Sequence, residues 1–430
     1  MLFAPLLIAI SAAPGPDTSM FRGDAAHSGV YASSAPSSAP SLKWKFNAKG
    51  KVISSPVVAG GVVYVGSANG ALYAVDAESG QQKWGFSTGG RIVSSPAVAA
   101  GVVYVTSYDG NLYAVDAATG KEKWHFKTKG ERRFAAPGIH GVLPATERMP
   151  DPFDFFMSSP VVVDGVVYFG SGDTTIYAVD AATGKERWHH KTGDVVHASP
   201  AVADGTVFVG SWDSWFYALD AKTGKQKWKF KTGEDKETYN QVGIQSSAAV
   251  VDGVVYFGCR DSFVYALDAK TGAKKWAYSN NGSWVNTSPA ISGGLVFFGT
   301  ADKHTIHAVD IKTGKDAYTV DLKWLIFSSP AVAGNMLVVG THGGRIHAID
   351  LTAHKEAWAF ETDGCRAHGA EYTKPDGGFD SRKAFDSPFY DDIVAGISRM
   401  MTVGSVLSSP TVADGVVYFG STDGNLYAVR

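Results

Sequence analysis

Three polar side chains able to hold a ligand recur in one register of this chain. His197, Gln245 and Asn286 each stand immediately before a Ser-Ser-Pro-like triplet, read as HASP, QSSA and NTSP. The equivalent position elsewhere is apolar, as Ile53, Val93, Met157, Phe327 and Leu407, so packing alone does not require a polar group there. Trp212, Arg260 and His342 interrupt short turns of the same sector, and Trp284 stands two residues before Asn286. Aromatic walls with a few convergent polar groups are what a ligand pocket needs; hydrogen bonding within the scaffold is the alternative use of the same groups. His197 and His342 would be the acid–base candidates of a hydrolase or lyase. His140 and His368, in two irregular segments, complete the set of candidate ligand-binding residues, but the spacing of the histidines announces no metal site.

Other apparent chemistry dissolves on inspection. Gly85-Phe86-Ser87-Thr88-Gly89 matches G-x-S-x-G, yet it occupies a slot where other copies read HFKTK or KFKTG, not the strand-to-helix elbow a nucleophile needs. Neither a P-loop nor H-E-x-x-H is present. Cys259 and Cys365 form no C-x-x-C pair, which leaves one disulfide open. With 39 basic and 41 acidic residues, net charge -2, no global field favours nucleic acid. No apolar run reaches the roughly 18 residues of a membrane helix. The opening MLFAPLLIAISAAPGP reads as a signal peptide over residues 1–13 without a lipobox cysteine, so a periplasmic or secreted protein is expected, followed by an extended Ser/Ala/Pro/Gly lead-in over 14–41.

The elements that position these residues are repeats. SSPVVAGGVVYVGSANGALYAVDAESGQQKWGF from Ser54 is repeated as SSPAVAAGVVYVTSYDGNLYAVDAATGKEKWHF from Ser94, an offset of 40 residues. Each copy holds four runs of period-2 alternation separated by Gly or Asp-Gly turns, the signature of a four-stranded antiparallel sheet. The first-strand serine recurs as Ser55, Ser95, Ser159, Ser199, Ser247, Ser288, Ser329 and Ser409, giving eight copies. A fourth-strand aromatic follows at Trp84, Trp124, Trp188, Trp228, Trp276, Tyr318 and Trp358; the eighth lies upstream, in LKWKFNAKG at Leu42 to Gly50. The expected fold is all-β, an eight-bladed β-propeller over residues 42–430, closed by the N-terminal strand pairing into the last blade. Closure removes the sheet edges that invite aggregation, and a monomer is expected.

The motif A-x-D-x-x-T-G-x-x-x-W, as AVDAATGKEKW (Ala114 to Trp124) and ALDAKTGKQKW (Ala218 to Trp228), resembles the tryptophan-docking motif of the PQQ-repeat superfamily. That superfamily implies either a quinoprotein alcohol dehydrogenase or a non-catalytic propeller of the BamB type. The adjacent-cysteine disulfide of the dehydrogenases has no counterpart here, and no C-x-x-C-H provides for haem. The BamB-like branch is therefore preferred, with no cofactor expected; PQQ with calcium is the alternative. For a quinone, Trp212 or Trp284 would stack, Arg260 and Lys303 would supply charge, and Gln245 or Asn286 amide ligands. No first-strand start carries a carboxylate, while Asp213, Asp261 and Asp302 fall in ordinary turn slots.

Against the 40-residue spacing, extra segments enter near 129–155, 233–243 and 361–405. All three lie between a fourth strand and the next first strand, so all should crown one face. The expectation is an exported propeller that binds a protein partner or small ligand on that face, near the channel mouth at blades four to seven, with the PQQ-dependent oxidoreductase and the hydrolase or lyase as alternatives.

Overall fold

The computed structural model describes residues 19–235 and 237–430; the signal peptide expected at 1–13 and the first residues of the lead-in lie outside them. Eight four-stranded antiparallel blades form a ring. Blade 1 is built from Val57–Ala59, Val62–Gly66, Ala71–Asp76 and Gln82–Ser87, from the channel outward. The second strand of a blade is apolar on both sides, as in the fully buried Val166–Ser171, because neighbouring blades pack on both its faces. The fourth strand alternates exposed with half-buried residues, as in Glu122–Lys127, because it is the outer edge. Leu42–Asn47 pairs antiparallel with Asn425–Val429, Trp44 opposite Ala428 and Phe46 opposite Leu426, so the first strand of the ring completes its last blade.

The repeated motif explains how blades are joined. The indole Nε1 of Trp84 donates to the carbonyl of Ala117 in the next blade at 2.9 Å, and those of Trp44, Trp124, Trp188, Trp228 and Trp276 make the same bond one blade on. Each ring lies flat on the turn glycine of the next blade; a Cβ on Gly120 would come within 2.7 Å of Trp84. Where blade 6 carries Tyr318 instead, the glycine of blade 7 is replaced by His354, and the two rings stack at 3.8 Å and 12°. The turn aspartates also join blades: Asp213 and Asp261 each accept from a tyrosine hydroxyl of their own blade and from the backbone N–H of Gly193 or Gly233 in the preceding one.

Around the channel the first-strand serines close a second ring. The backbone N–H of each donates to the hydroxyl of the next, from Ser55 to Ser95 and on through Ser409 back to Ser55, at 2.8–3.1 Å. This is why Ser recurs at the position without exception.

The lead-in is more than an extended approach. Backbone N–H groups of Val202, Val250, Ile291 and Val332, on four consecutive blades, donate to the carbonyls of Ala25, Ala26, Ser28 and Gly29, so the segment winds along the inner wall of the channel. Val30–Tyr31 adds a parallel fifth strand to blade 7. The carbonyl of Pro36 then receives the indole N–H of Trp358 at 2.8 Å, standing in for the turn that blade 8 lacks. Its composition signalled a loop, but backbone pairing along the first strands needs no periodic side chains. Cys259 and Cys365 are free thiols, so the disulfide left open by the sequence is not formed.

Candidate functional site

The three insertions meet over one mouth of the ring. In the first, Ala135–Pro137 and Arg148–Pro150 form a small hairpin, and Asp151 to Phe156 descends from it toward the channel. His140 of this insertion bonds Asn240 of the second, Nδ1 to Oδ1 at 3.0 Å. Leu143 exchanges backbone hydrogen bonds with Pro388 and Tyr390 of the third. That third insertion holds α1 (Asp363–His368), α2 (Ser381–Ala384) and α3 (Tyr390–Thr402), and α3 buries Ile397, Met400 and Met401 against the ring.

Under this cap lie two buried ionic groups. Arg260, fully buried, is held between two indoles, its guanidinium carbon 3.8 Å from the ring centre of Trp284 and 4.7 Å from that of Trp212. The planar cation suits two aromatic faces. Its charge is met by Asp151 of the first insertion, which also lies 3.1 Å from His140 Nε2. Burial alone would raise the Asp151 carboxyl, but Arg260 and His140 outweigh it and hold it well below the usual carboxylate range. In the second group His197 places Nδ1 2.7 Å from Asp154 and Nε2 3.4 Å from Glu131. Gln245 Nε2 also reaches Asp154, at 3.4 Å.

Burial would depress His197, yet the two carboxylates together raise it to about 10, so at neutral pH it is an imidazolium with no basic lone pair to offer. The linkage has a definite sign. A folded value above the unfolded 6.5 stabilises fully below pH 6.5 and is lost as pH rises to about 10. The urea midpoint should therefore fall between pH 6.5 and about 9.5, and fall less in His197→Gln. Equal slopes for the two proteins would exclude this source of stability.

His342 is the opposite case: fully buried, edge-on to Phe327 and near Phe155, with neither ring nitrogen bonded. Burial lowers it to about 3. Both ring nitrogens of His197 face carboxylates, whereas His342 sits among phenylalanines with no polar partner.

Among the sequence candidates, His140, His197, Trp212, Gln245, Arg260, Trp284, Asn286 and His342 come together at the mouth. His368 does not. The short α1 carries it outward beside blade 8, where it is exposed, bonds Glu371 at 2.8 Å and borders a surface cleft with Lys51, Asp363 and Asp423. His307 and His347 are packed within their blades, the former stacked on Phe298. The residues that sequence reasoning missed are Glu131, Phe134, Asp151 and Asp154. Asp151 and Asp154 stand in the run MPDPFDFF, whose mixture of acids and aromatics within an insertion was the available signal.

These missed residues decide what the mouth can hold. Phe134 stacks on Trp212 at 4.7 Å and 12°, while Arg260, His140 and Phe153 surround Trp284. Both indoles named as stacking surfaces are covered by the chain itself, and Arg260 already has its carboxylate. A planar tricarboxylate such as PQQ does not fit these residues.

A family model described as the outer membrane protein assembly factor BamB, PQQ_2, matches residues 30–143, 145–287 and 260–375. No match is found among the curated proteins. Among solved structures, BamB from Moraxella catarrhalis is similar at 16% identity and TM-score 0.63, over 91% of this chain and 97% of that one. Quinohemoprotein alcohol dehydrogenase from Comamonas testosteroni is similar at 17% identity and TM-score 0.69, over 97% and 81%. A europium-containing methanol dehydrogenase is similar at 15% identity and TM-score 0.70, over 97% and 99%. At such identities the likeness is one of fold, shared alike by the assembly factor and the enzymes.

Proposed function

The chain belongs to the PQQ_2 family, described as the outer membrane protein assembly factor BamB, and from that premise we propose that it is a non-catalytic, exported propeller that docks a protein partner of outer-membrane protein assembly on its cap. One observation carries the reading: the channel mouth, where a quinone would lie, is filled by Phe134, Asp151 and Phe153 packed onto Trp212, Arg260 and Trp284. Emptying that space would mean withdrawing Asp151 from a fully buried arginine, a large cost. The cap's outer surface, by contrast, is open. Phe389 is 54% exposed, with Leu143 and Val394 partly exposed on the same cap. Leu143 and Phe389 are bridged side by side, the kind of apolar patch that marks a protein contact.

Two measurements test this. In cells lacking the protein, the amount of folded outer-membrane β-barrel protein should fall and be restored by the wild type but not by Phe389→Glu with Val394→Glu. Purified protein supplied with PQQ and Ca²⁺ should oxidise no alcohol in a dye-linked assay. Dye reduction abolished by Arg260→Ala would overturn the reading in favour of the oxidoreductase.

A further inference from the structure

Within the channel, below the cap, lies a small chamber of about 40 Å³. Its girdle is the ring of Ser55, Ser95, Ser159, Ser199, Ser247, Ser288, Ser329 and Ser409; Phe156 and the polar arc lie above it and Phe21 of the lead-in below. Each girdle hydroxyl already accepts a backbone N–H from its neighbour. One lone pair is thereby spent and the proton is left to donate, strengthened because the oxygen is itself a hydrogen-bond acceptor. Each girdle hydroxyl thus keeps a polarised donor and one lone pair for a guest. On the wall above it Asn286 is 5% exposed, and neither its amide nitrogen nor its oxygen has a partner. An amide left unbonded at such burial is costly, which points to a guest.

Charge lies beneath the floor, outside the residues that line the chamber. Arg22 is 1% exposed and donates to the carbonyls of Pro330 and Pro289, at 2.6 and 2.9 Å. Those prolines directly follow Ser329 and Ser288, so the guanidinium lies just beneath the girdle. Among the described residues it has no carboxylate in ion-pair range, Asp24 attracting it only from farther off, and its Nε has no partner. A buried cation in that position calls for a counter-ion. At the other end of the polar arc the His197 imidazolium is matched by Asp154 and Glu131, whose oxygens are turned to His197 and to the N–H groups of Phe134 and Gly172.

We propose that this chamber binds a small monovalent anion of halide size, held by the serine hydroxyls and the Asn286 amide above the charge of Arg22. About 40 Å³ admits such an ion with a water or two, since one water takes roughly 10–15 Å³ on this measure. Waters alone would satisfy the hydroxyls but would leave Arg22 only the more distant Asp24 as counter-charge.

The test uses the full chain refolded from urea in bromide, so that the chamber fills as the ring forms. Anomalous diffraction at the bromine edge should show a peak inside the serine girdle, absent in Asn286→Leu. At constant ionic strength, chloride in place of gluconate should raise the wild-type Tm by roughly 2–4 °C and leave Asn286→Leu unmoved. Ordered water alone in the chamber, bromide confined to the outer surface, or a Tm indifferent to chloride would each overturn the proposal.

Discussion

Truncating Asp151 to alanine is expected to destabilise the protein by about 3–5 kcal/mol, the range for stranding one member of a buried ion pair. Arg260 cannot respond by reaching water, since it is fully enclosed between Trp212 and Trp284. Its Nε and Nη2 have no bond to fall back on, and the nearby His140 loses its carboxylate in the same step. The double variant Asp151→Ala, Arg260→Met should recover much of the loss, because an apolar pair of similar volume removes the charge instead of abandoning it. Urea midpoints of the wild type, both single variants and the double variant complete the cycle. Hydrogen exchange read over 131–156 should quicken in Asp151→Ala, because the same carboxylate pins the first insertion to blade 5. A cost below about 1 kcal/mol would mean that water reaches Arg260 and that the mouth is open, which would also reopen the case for a ligand there.

The repeat explains why some of this was legible and some was not. Eight copies of one pattern give every position its own baseline, so His197, Gln245 and Asn286 stood out against five apolar equivalents, and the missing fourth strand of blade 8 could be located within Leu42 to Gly50. The insertions have no such baseline. Asp151 and Asp154 could be seen as acids but not matched to Arg260 and His197, because the loop's descent into the channel is fixed by tertiary contacts such as Phe134 on Trp212. The lead-in was opaque for a related reason. Arg22 and His27 look like surface residues in a Ser/Pro/Gly-rich stretch, yet both are 1% exposed, since the backbone around them pairs with the first strands of five blades. His368 misled in the other direction: it lies in a functional-looking insertion, but α1 turns it to solvent.

Replacing residues 42–47 by a glycine-serine linker of equal length should have the largest effect on the fold as a whole. The substitution removes Trp44, whose loss alone is worth about 3–5 kcal/mol at a buried site, together with the Phe46 contact to Tyr73 at 5.2 Å and the ladder to Asn425–Val429. It also does what no other strand deletion does, since blades 8 and 1 are joined through this strand: Trp44 carries the indole bond to Ala77 of blade 1. The result should be a sharp fall in Tm and association through the bared edge of Asn425–Val429. Trp84→Ala is the control, losing an equivalent indole bond while leaving every blade with four strands; its Tm should fall without association. The backbones of Ser41 and Arg430 already exchange hydrogen bonds at 2.8 and 3.0 Å, so the missing strand can be returned from the other end of the chain. Appending the turn sequence of Asp116 to Lys121 and then residues 42–47 after Arg430 should restore both the Tm and the monomer. Failure of that rescue, or a melting curve unchanged by the original replacement, would show that the ring does not depend on the strand for closure.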